Sequence, residues 1–458
     1  MNEKCRIRMS VDDYRLLSQH LFPGDQDEHG AVLLAGMSES EGQTTLQVRE
    51  LHLAEEGTDY VEGKIGYRAL HPRFIHRLIT RARDERLAYL AVHNHDSQDR
   101  VHFSRIDLDS HERGYPALLQ ISRGMPVGAL VFGRRSVQAD VWLPEGQRLA
   151  LADIVIVGNT IERLFSSRDA TPRAVSETYD RQVRVFGKAG QEALSNCRVA
   201  ILGLGGIGSL VAEYLARLGV GHLLLVDSDT IQGTNLSRVV GATTADVGKR
   251  TKKVEIARRV ILEANETAEV RVIADDVAKA SVARQLISYD FLFLAADSMC
   301  ARLVFNALVH QYLIPGVQLG SKVRCDDDGH LLDVMSVNRP VRPGRGCLWC
   351  NHLIDPSLLA IEAKTDEERK AQAYGTDEVN PSVISLNGVA AAHAVNDFML
   401  DYLGLRPEPG LLQYEHFHFL DRTRRLVQPR IDADCSECSR VHGRYGRGDS
   451  MSLPCIEG

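Results

Sequence analysis

The 458-residue chain is too long for one hydrophobic core, so we expect at least two domains. Its 44% hydrophobic and 25% charged residues are ordinary for a globular protein, and a net charge of -7 gives no basic surface for a nucleic-acid partner. The polar N terminus lacks a signal-peptide core and no window approaches roughly 18 apolar residues, so we expect a cytoplasmic protein with no membrane partner.

The first 165 residues predict an α+β domain. A helical pattern follows Ser10, and the polar stretch 166–176 ends the domain as a linker. Between them we predict strands over 31–37, 44–51, 88–92, 127–132 and 137–142, and helices over 72–86 and from about residue 106.

Beyond the linker, strands and helices alternate, which is typical of a mostly parallel, doubly wound, Rossmann-like sheet over residues 177–445, followed by a tail over 446–458. The chain is therefore α/β overall. The predicted strands are 198–202, 222–226, 269–273 and 291–295, and the predicted helices are 208–218 and 252–264.

A candidate metal site lies in the first domain. His93 and His95 are alternate residues at the end of a predicted strand, so both imidazoles project to one side. Asp107, on the next helix, adds an oxygen ligand. Three protein ligands and a water would make an open, catalytic Zn²⁺ site.

With Ser104 three residues before Asp107, this segment resembles the JAB/JAMM metalloprotease family, over roughly residues 5–160. Eight residues separate His95 from Ser104, which makes the loop slightly long for that family. The resemblance implies a JAB/MPN-like fold and zinc peptidase activity. It makes Glu28 the general base, acting on zinc-bound water, and Ser104 a stabiliser of the oxyanion.

A glycine loop opens the second domain's sheet. Gly203, Gly205, Gly206 and Gly208 follow an apolar strand and begin a helix, where backbone N–H groups approach a nucleotide phosphate. Asp227 ends the next predicted strand, where it is placed to bind ribose hydroxyls. These residues alone do not separate ATP from NAD, so a dehydrogenase remains open.

Further polar motifs follow in order, namely Asp227-Ser-Asp229, Asn235-Leu-Ser-Arg238, a Val-Gly before the basic run 249–253, and Asp297. With Tyr179-Asp-Arg181-Gln upstream, the stretch from about 177 to 440 resembles the ThiF/MoeB/ubiquitin-activating-enzyme superfamily. The resemblance implies an ATP-dependent adenylyltransferase that activates a carboxylate.

The same resemblance implies roles for these residues. Asp227, with Asp229 beside it, holds the nucleotide; Asn235, Arg238 and Lys253 face the triphosphate. Asp297 holds Mg²⁺, and Arg181 reaches the phosphates of the other subunit in a homodimer. The spacing after Gly248 leaves Lys249 and Lys252 as alternatives to Lys253.

Two CxxC pairs form a second candidate metal site. Cys347, Cys350, Cys435 and Cys438 offer four thiolates, enough to close a tetrahedron around one structural Zn²⁺. We expect this zinc to hold the C-terminal part of the domain rather than to catalyse.

The loop after the first CxxC lacks the cysteine with which activating enzymes form a thioester. Residues 351–387 contain none, which leaves Cys300 and Cys455 as alternatives for such a bond.

We therefore favour a bifunctional enzyme of a prokaryotic ubiquitin-like pathway, which trims or deconjugates a ubiquitin-like protein and adenylates its C-terminal glycine carboxylate. A separate conjugating enzyme is a possible further partner. Sulfur-carrier adenylation for cofactor biosynthesis is the first alternative, and a scaffold with two inactive sites is the second.

Overall fold

The computed structural model describes residues 4–61, 68–166, 176–326, 328–362, 381–406 and 412–456. Their contacts divide the chain into two compact units. Unit 1 contains the described residues of Met1–Thr171 with Gln311–Leu313 and Ser439–Ser452, and unit 2 contains those of Pro172–His310, Ile314–Cys438 and Leu453–Gly458. Most of the predicted linker lies outside the described residues. None of the described helices is both long and apolar enough to span a bilayer.

Unit 1 is an α+β unit, as predicted. Its strands are β1 Lys4–Ser10, β2 Gly30–Ser40, β3 Gln43–Leu53, β4 Ala88–Asn94, β5 Val127–Phe132, β6 Val137–Trp142, β7 Arg148–Val157 and β8 Ile161–Leu164. Its helices are α1 Val11–Leu21, α2 Pro72–Glu85 and α3 Arg105–Ser122. We predicted neither β1 nor β7 and β8.

These strands form one sheet in the order β1-β3-β2-β4-β5-β6-β7-β8, and an additional pairing of β1 with β7 closes seven of them into a ring. Both faces are buried. In β2, Leu33 packs with Leu17 and Leu21 of α1 in one core, whereas Leu34 packs with Phe74 and Leu78 of α2 in another. The sheet therefore holds the end of β4, and with it His93 and His95, on a rigid support.

Residues 439–452, which we call the C-terminal strap, belong to unit 1 although they follow the second CxxC pair directly. Gly36 donates its backbone N–H to Gly446 O at 3.1 Å, and Asp449 donates to Met37 O at 2.7 Å. Arg440 Nη1 contacts both carboxylate oxygens of Asp13, at 2.7 and 2.9 Å. The strap thus completes the edge of β2 beyond its pairing with β4.

Unit 2 is built on a second eight-stranded sheet. Its strands are β9 Arg198–Leu202, β10 His222–Val226, β11 Glu269–Ile273, β12 Phe291–Leu294, β13 Gly316–Cys325, β14 Leu331–Val341, β15 Tyr414–His418 and β16 Thr423–Val427. Its α-helices are α4 Asp180–Ser195, α5 Gly206–Leu218, α6 Thr244–Lys249, α7 Lys253–Ala264, α8 Ala280–Ala283, α9 Met299–Gln311, α10 Pro356–Glu362 and α11 Ile384–Tyr402.

The strand order of this sheet is β11-β10-β9-β12-β13-β14-β15-β16. The first five strands are parallel, which confirms the Rossmann-like α/β prediction. The last three are antiparallel, an extension that we did not predict. Because β9, β10 and β12 run in the same direction, their carboxyl ends meet at one edge, where nucleotides bind in sheets of this type.

Candidate functional site

The glycine loop has no room for a side chain at three of its positions, Gly203, Gly206 and Gly208. Gly203 has a φ of +92°, and a Cβ there would lie 2.7 Å from Ala296 N. A Cβ on Gly208 would lie 1.8 Å from Gly203 O. Gly205 is the N-cap of α5 and faces open space, and no side chain caps the helix there. The first N–H groups of α5 are therefore available to a phosphate.

Asp227 lies beside this loop at the end of β10. Its Oδ2 accepts the N–H of Leu204 at 2.6 Å, and its Oδ1 accepts that of Asp229 at 2.8 Å. Burial raises the pKa of Asp227, a shift that the Lys253 ammonium opposes. The structure thus brings the predicted ribose ligand against the glycine loop.

Two lysines reach the loop that follows β10. Lys253 Nζ lies 2.6 Å from Asp229 Oδ2, and Lys252 Nζ donates to Ser228 O at 2.5 Å. Lys249 is exposed in the last turn of α6. Both Lys252 and Lys253 are therefore near the candidate nucleotide site, and the choice between them stays open.

Arg238 and Asn235 differ in how they are held. Arg238 Nη1 donates to Thr234 O at 2.8 Å, and its aliphatic carbons would lie 3.3 Å from a Cβ on Gly206. Asn235 is buried, and its Oδ1 accepts the N–H of Gln232 at 3.1 Å. The Asn235 oxygen therefore supports the loop, while Arg238 borders the glycines directly.

The residues after β12 form the other side of this edge. Asp297 is exposed just before α9, as a cation ligand would need to be. The carboxylate of Glu362 caps α9 by accepting the N–H groups of Met299 and Cys300, both at 2.9 Å. Arg181 is exposed in the first turn of α4, and its role across a dimer stays a prediction.

We did not predict Asn387, which is 1% exposed at the start of α11. Its Oδ1 accepts from Ser321 Oγ at 2.8 Å and its Nδ2 donates to Ser382 Oγ at 3.0 Å. A Cβ on Gly206 would lie 2.3 Å from Asn387 Nδ2, so Gly206 is a glycine because this amide packs against it. No local pattern connects two residues so far apart in the chain.

The four predicted zinc cysteines come together and are buried. Cys347 Sγ lies 3.4 Å from Cys350 Sγ and 3.8 Å from Cys435 Sγ, and Cys350 Sγ lies 3.6 Å from Cys438 Sγ. Zn–S bonds of about 2.3 Å place tetrahedral sulfurs about 3.8 Å apart. The cluster therefore fits a structural Zn²⁺, and no coordination position is left for a substrate.

The three predicted ligands of unit 1 also converge. Asp107 Oδ2 lies 3.5 Å from His93 Nε2 and 3.6 Å from His95 Nε2, and His93 Nε2 is buried without a hydrogen-bond partner among the described residues. Tetrahedral zinc with ligands at about 2.1 Å would separate them by about 3.4 Å. Burial lowers the pKa of His95, which favours the neutral imidazole that binds metals.

Of the two remaining predicted residues of this site, Glu28 lies beside the ligands and Ser104 serves as a helix cap. Glu28 Oε1 lies 3.6 Å from His95 Nε2, and burial raises the pKa of Glu28, which suits a base. Ser104 caps α3, and its Oγ donates to Asp107 Oδ2 at 2.7 Å. Its hydroxyl therefore orients the carboxylate, and a role toward an oxyanion stays a prediction.

The carboxyl edge of the unit 2 sheet has the arrangement expected of a nucleotide-binding site. Sequence comparison assigns this part of the chain to a family. The sequence model of the ThiF family matches residues 179–437, more than half of the chain. The chain belongs to the ThiF family. This ThiF match begins after the His93 cluster, so the JAB/JAMM resemblance of unit 1 stays a prediction.

Several characterised proteins resemble the ThiF part. The tRNA threonylcarbamoyladenosine dehydratase of Bacillus subtilis (strain 168) is 36% identical over 127 residues, which are 27% of this chain and 49% of that protein. The molybdopterin-synthase adenylyltransferase of Escherichia coli (strain K12) is 35% identical over 150 residues, 32% of this chain and 59% of that protein. The adenylyltransferase and sulfurtransferase MOCS3 of Drosophila willistoni is 34% identical over 130 residues, 28% of each chain. The chain thus spans about half of the first two relatives and about a quarter of the third.

Proposed function

We propose that unit 2 adenylates the C-terminal carboxylate of a small carrier protein, with Mg·ATP as co-substrate. The observation that carries this proposal is the uncapped N terminus of α5, which lies beside Asp227 and Arg238 at the carboxyl edge of parallel strands. Attack of a carboxylate on the α-phosphate develops negative charge. Arg238, Lys253 and a Mg²⁺ held by Asp297 would neutralise it while pyrophosphate leaves.

We prefer a carrier of the sulfur-carrier type over the bifunctional ubiquitin-like pathway favoured from the sequence. Two of the relatives are adenylyltransferases whose names refer to molybdopterin synthase or to sulfur transfer. Residues 351–387 also contain no cysteine for a thioester, and adenylation for sulfur transfer to the carrier does not require one. Cys300 and Cys455, both half-buried, remain the candidates if a thioester forms.

ATP–pyrophosphate exchange tests the proposal. Full-length protein with Mg·ATP and a panel of small carrier proteins ending in Gly-Gly should give exchange with at least one of them. We expect Asp297→Ala to lower the rate at least ~100-fold, because the metal loses its ligand. Glu266→Ala, which removes an exposed carboxylate of unit 2, should leave it unchanged. Exchange by no carrier, or a thermal shift with NAD and none with Mg·ATP, would refute adenylation.

A second activity is proposed for unit 1, namely zinc-dependent hydrolysis of a peptide or isopeptide bond. It rests on the convergence of His93, His95 and Asp107 next to Glu28. A bound zinc would lower the pKa of a water, and Glu28 would hold the proton that this water loses. If the substrate is a carrier precursor, this hydrolysis exposes its C-terminal glycine, and the product is the carrier that unit 2 would adenylate.

Metal content and cleavage test this second activity separately. Glu28→Gln should keep the zinc of unit 1 and lose cleavage of carrier precursors that extend beyond Gly-Gly. Asp107→Ala should lose both. If wild type and Glu28→Gln cleave equally, or if unit 1 binds no zinc, unit 1 is not a hydrolase.

A further inference from the structure

Unit 2 contains a group of polar atoms that the adenylation site does not use. Arg302 Nε, Tyr414 Oη and His416 Nε2 are each buried without a hydrogen-bond partner among the described residues. Burying an unsatisfied polar atom costs about 1–3 kcal/mol, so three in one region need an explanation.

The antiparallel part of the unit 2 sheet places Tyr414 and His416 on one face, together with Arg339. Gln318 of β13 is in register with Arg339 of β14, and Arg339 Nη1 donates to Gln318 Oε1 at 2.6 Å. Val337 is in register with His416 of β15. Because alternate strand residues share a face, Arg339, His416 and Tyr414 project to the same side. The intervening residue Asn338 projects to the other side, where its Nδ2 donates to Asp397 of α11 at 2.6 Å.

Arg302 of α9 approaches this face from the adenylation edge. Its Nη1 donates to Leu353 O at 2.8 Å. Burial, together with the nearby charge of Arg302, lowers the pKa of Arg339 to about 10. Both guanidiniums are still protonated at neutral pH, so two like charges lie close together in a half-buried place.

Neither guanidinium forms an ion pair with a carboxylate among the described residues, in contrast to other arginines of this unit, although the charges of Asp297 and Glu362 act on Arg302. Arg342, for example, lies 2.8 Å from Asp401. A half-buried cation without an ion-pair partner is unfavourable, and the repulsion between Arg302 and Arg339 adds to this cost. The arrangement is therefore complementary to an anion that arrives with a ligand.

We propose that Arg302, Arg339 and His416 form an anion pocket that selects an acidic side chain in the C-terminal tail of the adenylated protein. This pocket proposal rests on the proposed adenylation. Asp297, the proposed Mg²⁺ ligand, marks the place where the C-terminal carboxylate of the tail would be adenylated, and it lies five residues before Arg302 in the chain. The tail's carboxylate reacts there, and an earlier residue of the tail reaches the pocket. Tyr414 borders the pocket on the side of the Cys347 cluster.

Peptide binding tests the pocket. The probes are fluorescein-labelled hexapeptides ending in Gly-Gly, with Glu at one of the first four positions, and their Gln counterparts. Anisotropy would be measured with the full-length protein and a non-hydrolysable ATP analogue. We expect the wild type to bind one Glu peptide about tenfold more tightly than its Gln counterpart, as charge-assisted hydrogen bonds provide.

Arg302→Gln and Arg339→Gln should each reduce this Glu/Gln ratio to about one, and Arg339→Lys should restore part of it. Arg324→Gln, which removes an exposed arginine of β13, should keep the full ratio. A thermal melt of each variant excludes simple unfolding. A variant that does not fold is replaced by His416→Ala, for which we expect the same loss of preference.

The outcomes separate the two proposals. Glu preference without ATP–pyrophosphate exchange would retain the pocket and refute adenylation. Exchange with equal binding of Glu and Gln peptides, or no binding of any peptide, would overturn the pocket. The pocket proposal would also be overturned if Arg339→Gln weakened the binding of inorganic pyrophosphate and left the preference for Glu peptides intact, because Arg339 would then bind phosphate rather than the tail.

Discussion

A methyl group on Gly206 is the sharpest perturbation of the nucleotide loop. It would lie 2.3 Å from Asn387 Nδ2, about 1 Å inside ordinary contact, and 3.3 Å from two carbons of Arg238. Asn387 cannot move away easily, since it is 1% exposed and held by two serine hydroxyls. Overpacking of this kind costs about 1–3 kcal/mol, whereas replacing a helical glycine by alanine gains about 0.5–1 kcal/mol. We therefore expect Gly206→Ala to destabilise unit 2 by about 1–2 kcal/mol.

Urea unfolding of the full-length protein without nucleotide measures this cost, followed by fluorescence and by hydrogen exchange of α5. Gly205→Ala is the matched control, because nothing lies within 4 Å of a Cβ at that neighbouring position. Asn387→Ala should destabilise the wild type by about 1–3 kcal/mol through two lost hydrogen bonds. In the Gly206→Ala background it should cost less, because it also removes the overlap.

The same series reports on function. Gly206→Ala moves Arg238 as well as Asn387, so we expect Mg·ATP affinity to fall about tenfold, and Asn387→Ala to recover part of it. Equal stability of Gly205→Ala and Gly206→Ala, or strict additivity of Gly206→Ala and Asn387→Ala, would refute the packing explanation.

Three other perturbations probe features outside the loop. Cys435→Ser should remove the structural zinc, measured as a fall from roughly two bound zinc ions per chain to one by mass spectrometry, and should lower the thermal stability of unit 2. Asp107→Asn should remove the other zinc, while Asp109→Asn on the exposed side of α3 should retain both. Arg440→Ala leaves Asp13 buried without its cation. The free energy that protects the amides of α1 from hydrogen exchange should therefore fall by about 1–3 kcal/mol, and their exchange should be faster. An unchanged exchange rate would contradict the role of the strap.

Local patterns predicted much of the fold. Strands β5, β6, β9, β10 and β11 have the predicted bounds, because short segments that are either apolar or alternate between apolar and polar residues stand out between polar turns. Helix α5 begins at Gly206 rather than at Gly208, since Gly205 serves as its N-cap. Helix α7 begins at Lys253, because Lys252 is extended at its N-cap.

Ligand clusters were predictable where the chemistry restricts residue type and spacing. Both the four cysteines and His93, His95 and Asp107 converge as expected. Asn387 and Arg339 were not predictable, because their importance comes from tertiary contacts across strands and helices distant in sequence. The antiparallel strands β14–β16 were missed for a related reason: the buried residues of β14 and β15 are partly polar, and β16 is exposed along its whole length, so none of the three shows clean alternation.

The C-terminal strap sets an order of events during synthesis. Strands β1–β8 leave the ribosome early, but the residues that complete the edge of β2 and pair with Asp13 are made only after most of unit 2. At about 5–20 residues per second, unit 1 waits roughly 15–60 s for them. During that time Asp13 and the unpaired end of β2 remain open to other chains. A nascent protein stalled inside unit 2 should therefore depend on chaperones, and unit 1 produced alone should need residues 439–452 supplied as a peptide.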